Sequence, residues 1–238
     1  MRRRAFLRTL ASLGLGLTAL LGGLAGLVLH EPASYRGIPV PEGKERRQLS
    51  GQFWSSCQEV RDSIDSKDDT HWQESFTADQ MNSYFEEDFL RAKPFHLPPG
   101  LHTPRVAIEP NHLQLAFRYG HGFWSTVVRL DLNLWLVVRE PNVVAIELLG
   151  VHAGALPISI QSMLEELADS AQQANIEVTW YRHEGHPVAL LHFQADREHP
   201  RYLLQRLELQ DGRLVLAGKS SGDAVPFRQM VSMLEQGH

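Results

Sequence analysis

Between Ser125 and Glu140 the chain reads STVVRLDLNLWLVVRE, and no other stretch limits its fold so tightly. Val128, Leu130, Leu132, Leu134, Leu136 and Val138 stand two apart, with Arg129, Asp131 and Asn133 between them. Side chains alternate across a strand, so the spacing predicts one extended segment with an apolar face and a polar one. At about 3.3 Å per residue, roughly 14 to 16 residues would cover about 50 Å, far beyond the usual strand. Such a strand must twist and coil. Its partners are legible nearby. RVAIEPNHLQLAFRYG sets a Pro110-Asn111 turn between two alternating runs, and Glu140-Pro141-Asn142 turns the long strand back into VVAIELLGV. Two further hairpins are predicted, around Glu184-Gly185 and around Asp211-Gly212.

Helical signals bracket these strands. In FTADQMNSYFEEDFLRA, Thr77 and Gln80 have capping-box spacing, Met81, Tyr84, Phe85 and Phe89 fall on one stripe, and Pro94 ends the run. In LLGVHAGALPISIQSMLEEL, Gly150 and Gly154 relax the end of the returning strand, and Leu156-Pro157 form a corner suited to helix entry. Ile160, Met163, Leu164, Leu167 and Ala171 then form the stripe of a helix that would cross the sheet. A short closing helix is expected at Phe227, Met230, Val231 and Leu234. The fold expected is α+β: a long curved antiparallel sheet with a helix packed on its concave face, preceded by one amino-terminal transmembrane helix.

The transmembrane expectation rests on MRRRAFLRTLASLGLGLTALLGGLAGLVLHEP. Arg2, Arg3, Arg4 and Arg8 precede 21 residues, Thr9 to Leu29, without a formal charge. As a helix these would rise roughly 30 Å, the thickness of a bilayer's hydrocarbon core. The arginines would hold the amino terminus in the cytoplasm and send the rest across a bacterial inner membrane. A retained anchor is the favoured reading. A cleaved signal peptide with its site at Gly23-Leu24-Ala25, and a twin-arginine signal at Arg3-Arg4, stand beside it. Gly22 and Gly26 give a GxxxG spacing for pairing of spans. The division expected is therefore an anchor over 1–30, a Pro- and Gly-bearing tether over 31–50, and an exported domain over 51–238.

Charge narrows the partners. Of 23 basic side chains, four lie in the anchor, so 19 stand against 28 acidic ones in the remainder, a net charge near −9. A nucleic-acid partner is not expected of so acidic a body. Cys57 is the sole cysteine, which excludes a disulfide framework and suggests a buried, inert thiol. His183, Glu184 and His186 sit at a hairpin tip and lack the helical spacing of a metal site. Glu165, Glu166 and Asp169 lie opposite the apolar stripe of their helix, and Ser220-Ser221 lack the strand-elbow-helix context of a hydrolase nucleophile. No catalytic residue, metal or cofactor is expected.

Two stretches carry a resemblance. FTADQMNSYFEEDF, through Phe76, Thr77, Met81, Asn82 and Tyr84, resembles the opening helix of YpmS-like exported domains. LLGVHAGALPIS, through Gly154, Leu156 and Pro157, is similar to their Gly-x-Leu-Pro corner. The order of elements is alike over about residues 70 to 220, with Met81 where those domains carry leucine and an additional carboxy-terminal helix. The resemblance implies an outline like that of tubular lipid-binding proteins. If sheet and helix gape, the space between them is an apolar groove for an acyl chain, lined by Val128, Leu130, Leu132, Leu134, Leu136, Ile160, Met163, Leu164 and Leu167. If they meet throughout, the chain is an accessory subunit of an integral membrane complex.

Overall fold

Residues 23, 26–32, 35, 40–66, 68–89, 100–122, 125–157, 177–193 and 200–221 are described in the computed structural model of this chain. They form a sheet-dominated α+β structure, and every strand pairing is antiparallel. Among them no helix is long and apolar enough to cross a membrane. Most of the stretch from Thr9 to Leu29 lies outside the described residues, as do the predicted helix bearing Ile160, Met163, Leu164, Leu167 and Ala171, the acids Glu165, Glu166 and Asp169, and the closing helix around Phe227.

Helix α1 (Lys44–Ile64) begins inside the segment expected to be a tether. Arg46, Ser50, Phe53, Cys57, Val60 and Ile64, spaced alternately four and three apart, run along its inward side, with Leu49, Ser56 and Ser63 half-buried beside them. Two polar residues head that stripe, so it shows no apolar period in the sequence. Both find partners on the next helical segment: the Arg46 Nε donates to Glu87 Oε1 at 2.6 Å, and the Ser50 hydroxyl donates to Asp88.

Strand β1 (Thr70–Thr77) leads directly into α2 (Ala78–Tyr84), which continues as a wider π turn over Phe85–Phe89. The capping box is formed as the spacing predicts. Thr77 Oγ1 accepts from the Gln80 amide, and the Gln80 side chain accepts from the Thr77 amide. Phe53 of α1 packs against Phe76 and Tyr84, with ring centroids 5.6 and 5.0 Å apart.

The larger sheet has seven strands: β2 (Leu101–Glu109), β3 (His112–Tyr119), β4 (Thr126–Leu136), β5 (Val143–Ala153), β6 (Leu156–Pro157), β7 (Glu177–His183) and β8 (His186–His192). Their order is β2-β3-β4-β5-β8-β7, with β6 paired to β5. A smaller sheet, β1-β10-β9, contains β9 (Tyr202–Gln210) and β10 (Arg213–Ser220). The four predicted turns are present, and Asn111, Asn142, Glu184, Gly185 and Gly212 take positive φ in them.

The long strand is shorter than the alternation predicts. β4 stops at Leu136 after 11 residues, and Val138, expected on the apolar stripe, is 92% exposed in the following turn. The corner also differs. Leu156-Pro157 does not leave the sheet; it pairs back onto His152-Ala153 through a tight turn at Gly154, φ +61°. Gly150 lies within β5, opposite Asp131, beside a bulge in which Leu149 is the extra residue.

Two asparagine side chains stand in for missing strand partners. Asn82 of α2 donates to the Val106 carbonyl and accepts from its amide, both at 2.8 Å, which fixes the helix on β2. Asn142 donates to the Tyr202 carbonyl at 2.7 Å and accepts from the Leu204 amide at 2.8 Å, which joins the larger sheet to β9.

Candidate functional site

The register turns the alternation of β4 into a surface. Leu132 lies opposite Leu113 and Leu148, Leu130 opposite Leu115 and Val151, and Val128 opposite Phe117 and Ala153. Leu134 faces Ile146, and Leu136 faces Val144. Directly opposed residues of an antiparallel pair project from the same face, so these rows form one apolar surface across three strands. The bulge at Leu149 keeps it continuous. Val144, Ile146 and Leu148 alternate in one phase and Val151 and Ala153 in the other; the extra residue restores the lost step.

Among the described residues, what packs on this surface differs along its length. At one end Val106, Ile108 and Leu209 form a core with Ala78, Met81, Phe85, Leu113, Leu134 and Leu214, so α2 and the smaller sheet close it there. Further along, Val128, Leu130, Leu148 and Val151 are buried, and their partners among the described residues, Leu101, Leu115, Phe117 and Leu132, all belong to the same sheet. The structure thus brings Val128, Leu130, Leu132, Leu134 and Leu136 onto one face as predicted. Ile160, Met163, Leu164 and Leu167 lie outside the described residues. Of the expected corner, Gly150 lies within β5 opposite Asp131, Gly154 makes the tight turn, and Leu156-Pro157 pair back onto β5.

The opposite face holds a polar cluster that the sequence reading passed over. Asp131 is nearly buried, with His152 Nδ1 at 3.1 Å, Arg129 Nε at 3.3 Å and His112 Nε2 at 3.4 Å. Three adjacent strands supply these groups. Gly150 makes room for it, since a Cβ there would stand 3.3 Å from His152 Cε1. On the same face His186 Nδ1 lies 3.1 Å from Glu147 Oε1. The period-two pattern already put Asp131 opposite the leucines, and pairing β3, β4 and β5 would have shown the histidines converging. Chemically the cluster is one carboxylate held by an arginine and two histidine rings, and among the described residues it includes no hydroxyl or thiol nucleophile.

The other candidate groups take structural places. Glu184 and Gly185 form the hairpin tip between β7 and β8, with positive φ at both. Among the described residues no set of three or more His, Cys, Asp or Glu is arranged to hold a metal ion. Ser220 is fully buried and accepts a hydrogen bond from Trp72 Nε1 at 3.1 Å. Cys57 is half-buried on α1, and burial pushes its thiol above its ordinary pKa.

Comparison with known families, with characterised proteins and with solved structures returns no match.

Proposed function

We propose that this chain is a membrane-anchored extracytoplasmic domain that holds an apolar ligand, a lipid acyl chain, against the apolar face of its larger sheet. One observation carries the reading: the leucine rows of β3, β4 and β5 run beyond the end that α2 and the smaller sheet close. The resemblance to YpmS-like domains and the uncharged run from Thr9 to Leu29 agree with it. Burial alone supplies affinity. At about 0.8 kcal/mol per methylene, a chain of about a dozen carbons gains roughly 10 kcal/mol before the costs of ordering it. The anchor would keep the domain at the inner membrane with its amino terminus cytoplasmic, and no catalytic step, metal or cofactor is invoked.

Native mass spectrometry of the protein purified without added lipid tests this, with a retained acyl lipid as the expected result. Leu132→Trp should abolish retention while circular dichroism stays unchanged. Equal retention by a folded Leu132→Trp variant counts against the groove.

A second reading, an accessory subunit of a membrane complex, is favoured by β7. This strand ends the sheet, and Trp180 and Tyr181 remain 37% and 39% exposed on its two faces. Among the described residues nothing pairs with its outer edge, and an edge with large aromatics can accept a partner strand. Under this reading, mild-detergent purification yields a stoichiometric partner that Trp180→Lys releases.

A further inference from the structure

The residues that leave the apolar run do not hang freely; they are fastened to one end of the larger sheet. Gly23, Gly26 and Leu27 are exposed, whereas Val28 and Leu29 are half-buried. Immediately afterwards the chain is held at successive points. The Ala155 amide donates to the Leu27 carbonyl at 2.8 Å, and Thr126 Oγ1 donates to the Val28 carbonyl at 2.5 Å. Gly154 permits this approach, because a Cβ there would stand 2.2 Å from the Val28 oxygen. Arg118 Nη2 then donates to Glu31 at 2.5 Å. Tyr35 is 3% exposed; its hydroxyl donates to the Thr103 carbonyl at 2.9 Å, and the Arg118 and Arg105 guanidiniums lie 5.3 and 5.8 Å from its ring centre.

This fastening gives the sheet a direction. Its near end consists of Gly100–His102, Arg118–Gly122, Thr126 and Gly154–Pro157, where an open hollow of about 360 Å³ is lined by Gly100, His102, Arg118, Gly120 and His121 among others. Tyr119 beside it is 51% exposed. Among the described residues this end carries one acid, Glu31, on the strap and already facing Arg118. The turns of the far end carry Glu109, Glu140 and Asp211, beside Arg139. Among the described residues, the end that receives the chain from the apolar run thus carries fewer acids than the far end, in a body of net charge near −9.

We propose that this near end is a membrane-facing surface resting on anionic phospholipid headgroups, in an orientation fixed by the contacts of Leu27, Val28, Glu31 and Tyr35 with the sheet. The inference rests on the reading of residues 9–29 as a retained anchor. Tyr119 and His121 then lie at headgroup depth. Val138 lies in the turn beyond the other end of β4, whose ten steps from Thr126, the partner of Tyr119, to Leu136 cover about 33 Å at the rise of a strand, whereas the headgroup layer is only about 6 Å deep.

The test uses the full-length chain in a Cys57→Ser background, with Tyr119→Cys or Val138→Cys carrying a fluorophore, in vesicles of phosphatidylethanolamine and phosphatidylglycerol doped with a headgroup-nitroxide lipid. The expected result is loss of most of the fluorescence at position 119 and none at 138. Thr126→Val, which removes the hydroxyl that holds the Val28 carbonyl without changing charge, and Gly154→Val should both restore emission at 119. Exchanging phosphatidylglycerol for phosphatidylcholine should do so in part. Protein that pellets with vesicles after a carbonate wash but is quenched equally at both positions, or unaffected by both substitutions, overturns the inference alone. Protein removed by the carbonate wash overturns the anchor and the inference together.

Discussion

Replacing Asn142 should loosen the joint between the two sheets by an amount that the structure allows to be worked out. The side chain makes two hydrogen bonds to the backbone of β9, at 2.7 and 2.8 Å, and the residue is 2% exposed. Each bond contributes about 1 kcal/mol. Its backbone also takes φ +56°, which costs alanine about 1 kcal/mol that asparagine partly avoids through its short polar side chain. Asn142→Ala is therefore expected to destabilise by about 3 kcal/mol, and Asn142→Gly, free of the backbone cost, by about 2 kcal/mol. For a body of this size the alanine change corresponds to a melting temperature about 6 to 12 °C lower. Urea unfolding of the detergent-solubilised chain, followed by circular dichroism and by tryptophan fluorescence, measures both variants. An alanine variant within about 0.5 kcal/mol of the parent would refute the claim that this amide substitutes for a strand partner, and a glycine variant no better than alanine would refute the backbone contribution.

Removing one member of the Arg46–Glu87 pair leaves a buried charge, so Arg46→Ala should cost about 3 to 5 kcal/mol, while the double variant Arg46→Met with Glu87→Leu recovers most of it in the same unfolding assay. Gly218→Ala places a Cβ 2.4 Å from the Trp72 ring and 2.7 Å from the Leu203 carbonyl, and should destabilise by about 1 to 3 kcal/mol, with a shifted tryptophan emission. Burial raises Tyr35, Tyr84 and Tyr202 above the ordinary value of 10.0, and Cys57 above 9.0. The folded state binds those protons more tightly than the unfolded one. The stability they contribute is complete below pH 9 and is lost as pH rises through 10 and above, so base unfolding should coincide with the appearance of phenolate absorbance. Tyrosines that ionise well before the fold is lost would contradict this. The same burial should leave Cys57 slow toward maleimide at neutral pH, with unfolding by urea restoring an ordinary rate.

Elements governed by local chemistry were readable in the chain. Thr77 and Gln80 specify a helix start because the two groups of the capping box lie three residues apart. Asn111, Glu184-Gly185 and Asp211-Gly212 specify turns because few residues accept positive φ. The alternation of β4 specifies which side chains share a face, since period two leaves no other arrangement. What escaped this reading depended on partners far along the chain. The inward stripe of α1 begins with Arg46 and Ser50, which become interior residues only because Glu87 and Asp88 come to meet them. The Leu149 bulge reverses the phase of β5 midway, a step seen only once β4 is laid beside it.

Sequence by itself therefore determined that one face of a long strand is apolar, where the chain turns, and that an uncharged run precedes an acidic body. Tertiary structure alone decided that α2 and the smaller sheet close one end of that face, that His112 and His152 converge on Asp131, and that residues 27–32 and Tyr35 are held at one end of the sheet. The physical reason is range. Alternation, caps and turns are settled by atoms a few bonds apart, whereas cover, ion pairs and docking depend on which surfaces the folded chain brings together.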